Sequence, residues 1–304
     1  MQATDLSVVG GPDVLIRSWR IHLEAENLSP RTIKSYMEAA GQLSAFLRSA
    51  GMPLQVDAIR REHIEAFLVD VRSRTSASTA ATRYRGLQQL FRWLAEEGEI
   101  PGTPMARMKP PKVEEKPVPV IARSDLEALF KVCAGRSFED RRDAALFRLF
   151  LNTGARLAEM AGLQVGDVDF VMRELYVIGK GRKARVLPIG PKATKALDRY
   201  MRVRYRRVLS EEPWLWIGLR GRLTDSGIVQ VLRRRCREAG IAQLHPHQFR
   251  HTWAHLWLSA GGTEHDLARL AGWNSLQMVG RYAASAASER AREAHRRIGP
   301  GEDI

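Results

Sequence analysis

Cysteine is nearly missing from this chain: among 304 residues only Cys133 and Cys236 occur, far apart and with no Cys-x-x-Cys partner. That excludes a disulfide scaffold and a cysteine-built zinc knuckle, and both thiols are expected to be reduced core residues. Long apolar runs are missing too. None approaches the roughly 18 residues of a membrane span, and the opening MQATDLSVVGGPD has no basic stretch followed by an apolar one, so the expected location is the cytoplasm. Acidic residues are in the minority, 34 Asp plus Glu against 48 Lys plus Arg, for a formal net charge of +14. A chain so basic is predisposed to a polyanion, nucleic acid first. No carboxylate cluster suited to Mg²⁺ is evident. His251 and His255 have the spacing of a zinc-binding helix, but Thr252-Trp253-Ala254 between them lacks its glutamate, and both are read as structural.

What is present suggests two domains, since this length exceeds one typical globular unit. Residues 13–100 read as a compact helical body. Ser29 suits an N-cap and Pro30 the first helical position, after which Ile33, Tyr36, Met37, Ala40, Leu43, Phe46 and Leu47 fall on one stripe. A later helix turns Tyr84, Leu87, Leu90, Phe91 and Leu94 inward and leaves Arg83, Arg85 and Arg92 on other faces, where they are either a track for a phosphate backbone or ordinary solvated charge. Residues 101–121 carry prolines at 101, 104, 110, 111, 117 and 119 with Lys109, Lys112 and Lys116, the composition of an extended cationic linker.

Residues 122–304 open on Ser124-Asp125-Leu126-Glu127, which reads as a capping box. Two β-like runs, Leu175–Ile178 and Val186–Ile189, flank Gly179-Lys180-Gly181-Arg182-Lys183, so a hairpin is expected to present Lys180 near its tip. Helices are expected around 191–208, 224–239 and 247–260. The fold class is therefore mainly α with a small β-hairpin or sheet: a helical N-terminal domain followed by an α+β domain.

Four short motifs carry chemistry. Thr153-Gly154-Ala155-Arg156 ends one helix and starts the next, with Glu159 one turn on. His247 and Arg250 lie one turn apart on one helical face and can address one anion. Leu270-Ala271-Gly272-Trp273 and then Tyr282 complete the series. Each is weak alone. Their joint order resembles the phage integrase or tyrosine recombinase family, especially its Xer-type members: TGxRxxE, GKGxKxR in a hairpin, HxxR, LxG[H/W], then Tyr. NLSPRTIKSYMEAAGQLSAFL is similar to the family's helical, SAM-like core-binding domain, and SERAREAH to the Xer C-terminal helix. Trp273 departs from the family's commoner His.

The resemblance implies a site-specific DNA recombinase with Arg156, Lys180, His247, Arg250, Trp273 and Tyr282 as catalytic residues. Two guanidiniums, Arg156 and Arg250, would stabilise a phosphodiester in mid-transfer without a metal. Tyr282 would be the nucleophile, His247 would accept or orient its proton, and Lys180 would protonate the departing 5′ oxygen. One phosphodiester is exchanged for another, so no cofactor is implied. The implied partners are double-stranded DNA and three further copies of the chain, a homotetramer on two paired sites, with room for accessory proteins and none for a membrane. The tail helix would dock on the neighbouring protomer. Two rivals remain open: a type IB topoisomerase-like or hairpin-forming enzyme, and a non-catalytic DNA-binding regulator.

Overall fold

The computed structural model describes residues 12–114, 119–179, 184–207, 211–273, 279–280, 291–292, 295–296 and 299. The chain divides into two compact units, Met1–Glu115 and Lys116–Ile304.

The first unit is built from α1 (Pro12–Ala25), α2 (Pro30–Ser49), α3 (Arg61–Arg74) and α4 (Ala77–Glu96). Local chemistry sets the starts of α2 and α4: Ser29 Oγ accepts the Thr32 amide and Ser76 Oγ the Thr79 amide, each at 3.2 Å. The apolar stripes then meet. Ile33, Ala39, Ala40, Leu43 and Leu47 of α2 are buried, as are Tyr84, Leu87, Leu90, Phe91 and Leu94 of α4; Tyr36, Met37 and Phe46 are half-buried against the same core. The two helices cross closely enough that a Cβ on Gly86 would sit 2.9 Å from the Ala39 methyl. Arg83 is no solvated charge: its side chain is 13% exposed and pairs with Glu38 at 3.2 Å. Arg85 and Arg92 are exposed. The proline-rich stretch packs at its start, because Ile100 and Met105 are buried in this core and the Tyr84 hydroxyl donates to the Met108 carbonyl at 2.6 Å.

The second unit contains α5 (Arg123–Val132), α6 (Phe138–Thr153), α7 (Leu157–Gly162), β1 (Val168–Asp169), β2 (Glu174–Ile178), β3 (Ala184–Pro188), α8 (Pro191–Arg204), β4 (Ile217–Gly218), β5 (Gly221–Arg222), α9 (Asp225–Glu238), α10 (Pro246–Ser259) and α11 (Glu264–Ala271). Ser124 does not cap α5, which starts two residues earlier from Ala122 with no side-chain cap. The capping box lies one helix later: Ser137 Oγ accepts the Asp140 amide at 3.0 Å and Asp140 Oδ2 accepts the Ser137 amide at 3.3 Å. β1, β2 and β3 form an antiparallel sheet in that order. Leu175 pairs with Leu187 and Val177 with Arg185, which turns Leu175, Val177 and Leu187 into the core. α6 runs through that core with Leu146, Phe147, Leu149 and Phe150 buried, and Phe249 of α10 stacks on Phe147 at 6.0 Å between centroids. Both cysteines are free and buried, and burial lifts the Cys133 thiol to about 12. Among the described residues no helix is long and apolar enough to cross a membrane.

Candidate active site

The junction between α6 and α7 is made by backbone geometry that glycine alone adopts at little cost. Gly154 ends α6 at φ +60, and a Cβ there would lie 2.1 Å from the Trp253 ring, so α10 packs directly on bare backbone. Two residues on, Arg156 is the N-cap of α7. Glu159 reaches back to it: Oε2 accepts the Arg156 amide at 2.7 Å, and Oε1 accepts Arg156 Nη1 at 2.8 Å.

Glu159 is shared. Arg185, on β3, donates from Nη1 to Glu159 Oε1 at 2.7 Å and from Nη2 to Oε2 at 2.8 Å, a two-pronged pair typical of guanidinium and carboxylate. Burial by itself would raise the pKa of Glu159. The hydrogen bonds from Arg185 and from the amide and side chain of Arg156 outweigh that and hold it at about 2. The carboxylate is thus ionised at any ordinary pH and ties together two arginines 29 positions apart in the chain, Arg156 and Arg185.

The same arginines grip the end of α11. Arg185 Nε donates to the Leu270 carbonyl at 2.9 Å, Arg250 Nη2 to the Ala271 carbonyl at 2.6 Å, and Arg156 Nη2 to the Gly272 carbonyl at 3.2 Å. Three cations from β3, α10 and the α6–α7 junction therefore take three successive carbonyls. These lie where a helix leaves its acceptors unsatisfied and its dipole is negative. Arg250 also donates from Nη1 to the Gly154 carbonyl at 2.7 Å, which connects this end of α11 with the end of α6. Gly272 stops α11 in the left-handed region at φ +63, and the Trp273 amide folds back to the Ala268 carbonyl at 3.0 Å. The Trp273 ring centre ends 5.0 Å from the Arg250 guanidinium carbon.

His247 and Arg250 share a face of α10 but not an environment. Arg250 is 2% exposed, whereas His247 is exposed and sets its ring edge-on to His251 at 4.3 Å. The imidazole of His247 is pushed below the usual histidine value, first by loss of water on its packed side, then by the charges of Arg250 and Arg156. At neutral pH it is a neutral acceptor beside two cations. That combination suits an anion whose approaching nucleophile must lose a proton.

Arg156, His247, Arg250 and Trp273 are thus brought together, while Lys180 and Tyr282 lie outside the described residues. β2 and β3 are paired up to Ile178 and Ala184, and Trp273 stands nine positions before Tyr282 in the chain. Most of the tail after Tyr282 also lies outside; residues 291–292 and 295–296 are helical. Sequence reasoning gave Arg185, the last residue of the GKGxKxR motif, no role of its own and took Glu159 as a residue that orients its neighbours. The overlooked signal was strand alternation. Arg185 stands two residues before buried Leu187 and across from buried Val177, a cation at a core-facing position, and such a position calls for an acidic partner.

Residues 119–289 match the phage integrase family, and residues 15–98 match the phage integrase N-terminal SAM-like domain. The tyrosine recombinase XerC of Oceanobacillus iheyensis is 30% identical over 283 residues, covering 90% of this chain and 92% of that protein. XerC of Roseiflexus castenholzii is 31% identical, with 86% of this chain and 85% of the relative covered. Among solved structures, the XerH site-specific recombinase, in a post-cleavage complex with a palindromic difH substrate, has a similar fold: the TM-score is 0.74 at 17% identity, over 89% of this chain and 81% of that one. With the family signature across more than half of its length and relatives aligned along most of it, the chain belongs to the phage integrase family and is a site-specific tyrosine recombinase.

Proposed function

We propose that this recombinase cuts duplex DNA with the phenolic oxygen of Tyr282 and passes the strand to another duplex through a 3′-phosphotyrosyl ester. In the first step the tyrosyl O–P bond forms and the P–O5′ bond breaks. The phenolic proton goes to His247 or to water that it orients, and Lys180 protonates the leaving 5′ oxygen. Rejoining reverses these transfers on a new strand, so one phosphodiester replaces another and no external energy source is needed. Arg156, 36% exposed at its side chain, meets the phosphate, with Arg250 as a fixed cation behind it and the indole of Trp273 beside both. Glu159 and Arg185 are positioning residues, which hold Arg156 in register.

The observation that carries this reading is the convergence of Arg156 and Arg250 on the end of α11, the helix from which the chain leads through Trp273 to Tyr282, with His247 close enough to feel both charges. We assign the work to the cytoplasm and to a tetramer on two paired sites, with residues 13–100 gripping the duplex alongside the 122–304 domain and residues 101–121 linking the two.

Tyr282→Phe tests the nucleophile, because it removes the phenolic oxygen and leaves the phosphate-binding charges in place. On a nicked suicide substrate the variant is expected to bind DNA like the parent and to leave no covalent adduct on a denaturing gel. A covalent band in the variant overturns the assignment.

A further inference from the structure

Between α5, α6 and α8 of the second unit lies a cavity of about 500 Å³. Small side chains, among them Cys133, Ala144 and Ala196, leave the space, and four arginines wall it: Arg136 from the α5–α6 turn, Arg141 and Arg148 from α6, and Arg199 from α8. Arg141 and Arg148 are seven residues apart, so they share one face of the helix. Both are half-buried, and the Arg148 guanidinium lies 4.4 Å from the centre of the Phe130 ring.

Carboxylates are plentiful on α6 and α8, yet each of those is committed elsewhere. Asp143 takes Arg142, Arg234 and Arg235; Asp140 takes Arg235; Glu139 takes Arg207; and Asp198 takes Arg202. Among the described residues, none of the four arginines around the cavity is paired with a carboxylate. Like charges gathered in a recess repel one another, and the repulsion is relieved when an anion enters. Guanidinium forks match phosphate oxygens in pairs. The volume lies in the range of small-molecule sites and exceeds the needs of one phosphate. A duplex carries its phosphates on a broad convex surface that cannot enter such a recess, whereas a free phosphate chain can.

We propose that this cavity binds the di- or triphosphate group of a small molecule, either inorganic or carried by a nucleoside. The site shares none of the arginines that grip the end of α11.

Calorimetric titration of the full chain with inorganic tripolyphosphate, and separately with a nucleoside triphosphate, tests the proposal at fixed salt. Saturable binding of one equivalent is expected, weakened at least tenfold in Arg141→Gln/Arg148→Gln and unchanged within about twofold in Arg202→Gln, where an arginine outside the cavity is removed. Equal affinity for the two probes assigns recognition to the phosphate chain alone. Tighter binding of the nucleoside triphosphate adds the nucleoside. Arg141→Lys/Arg148→Lys keeps the charge and guards against misfolding; it is expected to melt like the parent and to retain most of the binding. The proposal fails if neither probe saturates, if the glutamine pair binds like the parent, if Arg202→Gln loses as much, or if the lysine and glutamine pairs lose equally. A glutamine pair that weakens only duplex DNA would make the cavity a backbone contact and also overturn the proposal.

Discussion

Every charged side chain that the described residues bury (Arg142, Asp143, Glu159, Arg204, Arg235 and Arg250) lies in the second unit, whereas the first unit's core is made of residues such as Trp19, Leu43, Phe67, Leu87 and Phe91. A core of the first kind is held by apolar area and by how well it fills space. A core of the second kind must also match each desolvated charge with a partner, and removing one partner strands the other. The difference follows the work. The second unit fixes several guanidiniums around one spot, and fixing them takes buried acceptors.

Asp143→Ala is the sharpest way to break that comparison. Asp143 is fully buried and accepts from Arg142 Nε at 2.8 Å, Arg234 Nη2 at 2.9 Å and Arg235 Nε at 2.8 Å. Its loss is expected to cost about 3–5 kcal/mol, read by calorimetry of the full chain as a fall in the second unit's transition with the first unit's unmoved. A fall shared by both transitions would end the contrast. Leu87→Ala is the counterpart in the first unit, a fully buried leucine whose removal leaves a cavity and costs about 2–5 kcal/mol. That loss is expected to be the same at pH 7 and pH 5, since no titratable group takes part.

Acid should separate the units further. His251 is pushed down from 6.5 to about 4 by burial first, then by His247 and Arg250. Its ring stays neutral when folded and takes a proton when unfolded, so the stability it contributes is present above pH 6.5 and is lost as pH falls toward 4. Glu159 follows, held at about 2 against an ordinary 4.5. Its contribution is present above pH 4.5 and disappears as pH falls through 2, and it amounts to roughly 3 kcal/mol. The second unit should therefore begin to weaken near pH 6.5 and weaken again below pH 4.5. In Glu159→Gln the second phase is expected to shrink to what Asp140, held below its ordinary value first by the Ser137 hydroxyl, contributes; a second phase of unchanged size would move the effect to another group. The smallest change belongs to Asp198→Ala, which breaks an exposed 2.8 Å pair with Arg202 and should shift stability by less than about 1 kcal/mol.

Much of the fold was legible because its signals are local. The Ser29 cap and Pro30 start α2 as read, the α4 stripe from Tyr84 to Leu94 is buried throughout, and Gly154 ends α6 where the motif places it. The error at Ser124 has the same local character. Ser-x-x-Glu is a common pair, and here Ser137 and Asp140 one helix later supply the box. Arg83 was misjudged because its partner, Glu38, is on another helix. In the candidate site, the motifs singled out Arg156, His247, Arg250 and Trp273. The hairpin motif ends on Arg185 but gave it no role, because that role depends on Glu159 lying 26 residues away.

The sequence by itself determined the helices, the hairpin, the two-part division and the family, because caps, turns and apolar periodicity act over a few residues and the family's motifs are written in order along the chain. Only the tertiary structure decided that Arg156, Arg185 and Arg250 take the carbonyls of Gly272, Leu270 and Ala271, and that one carboxylate holds two of them. Those bonds join residues 85 to 116 positions apart in the case of Arg185 and Arg156. The physical reason is burial. A guanidinium shielded from water must find acceptors wherever the packed elements place them, and no local pattern states which helix end will arrive there.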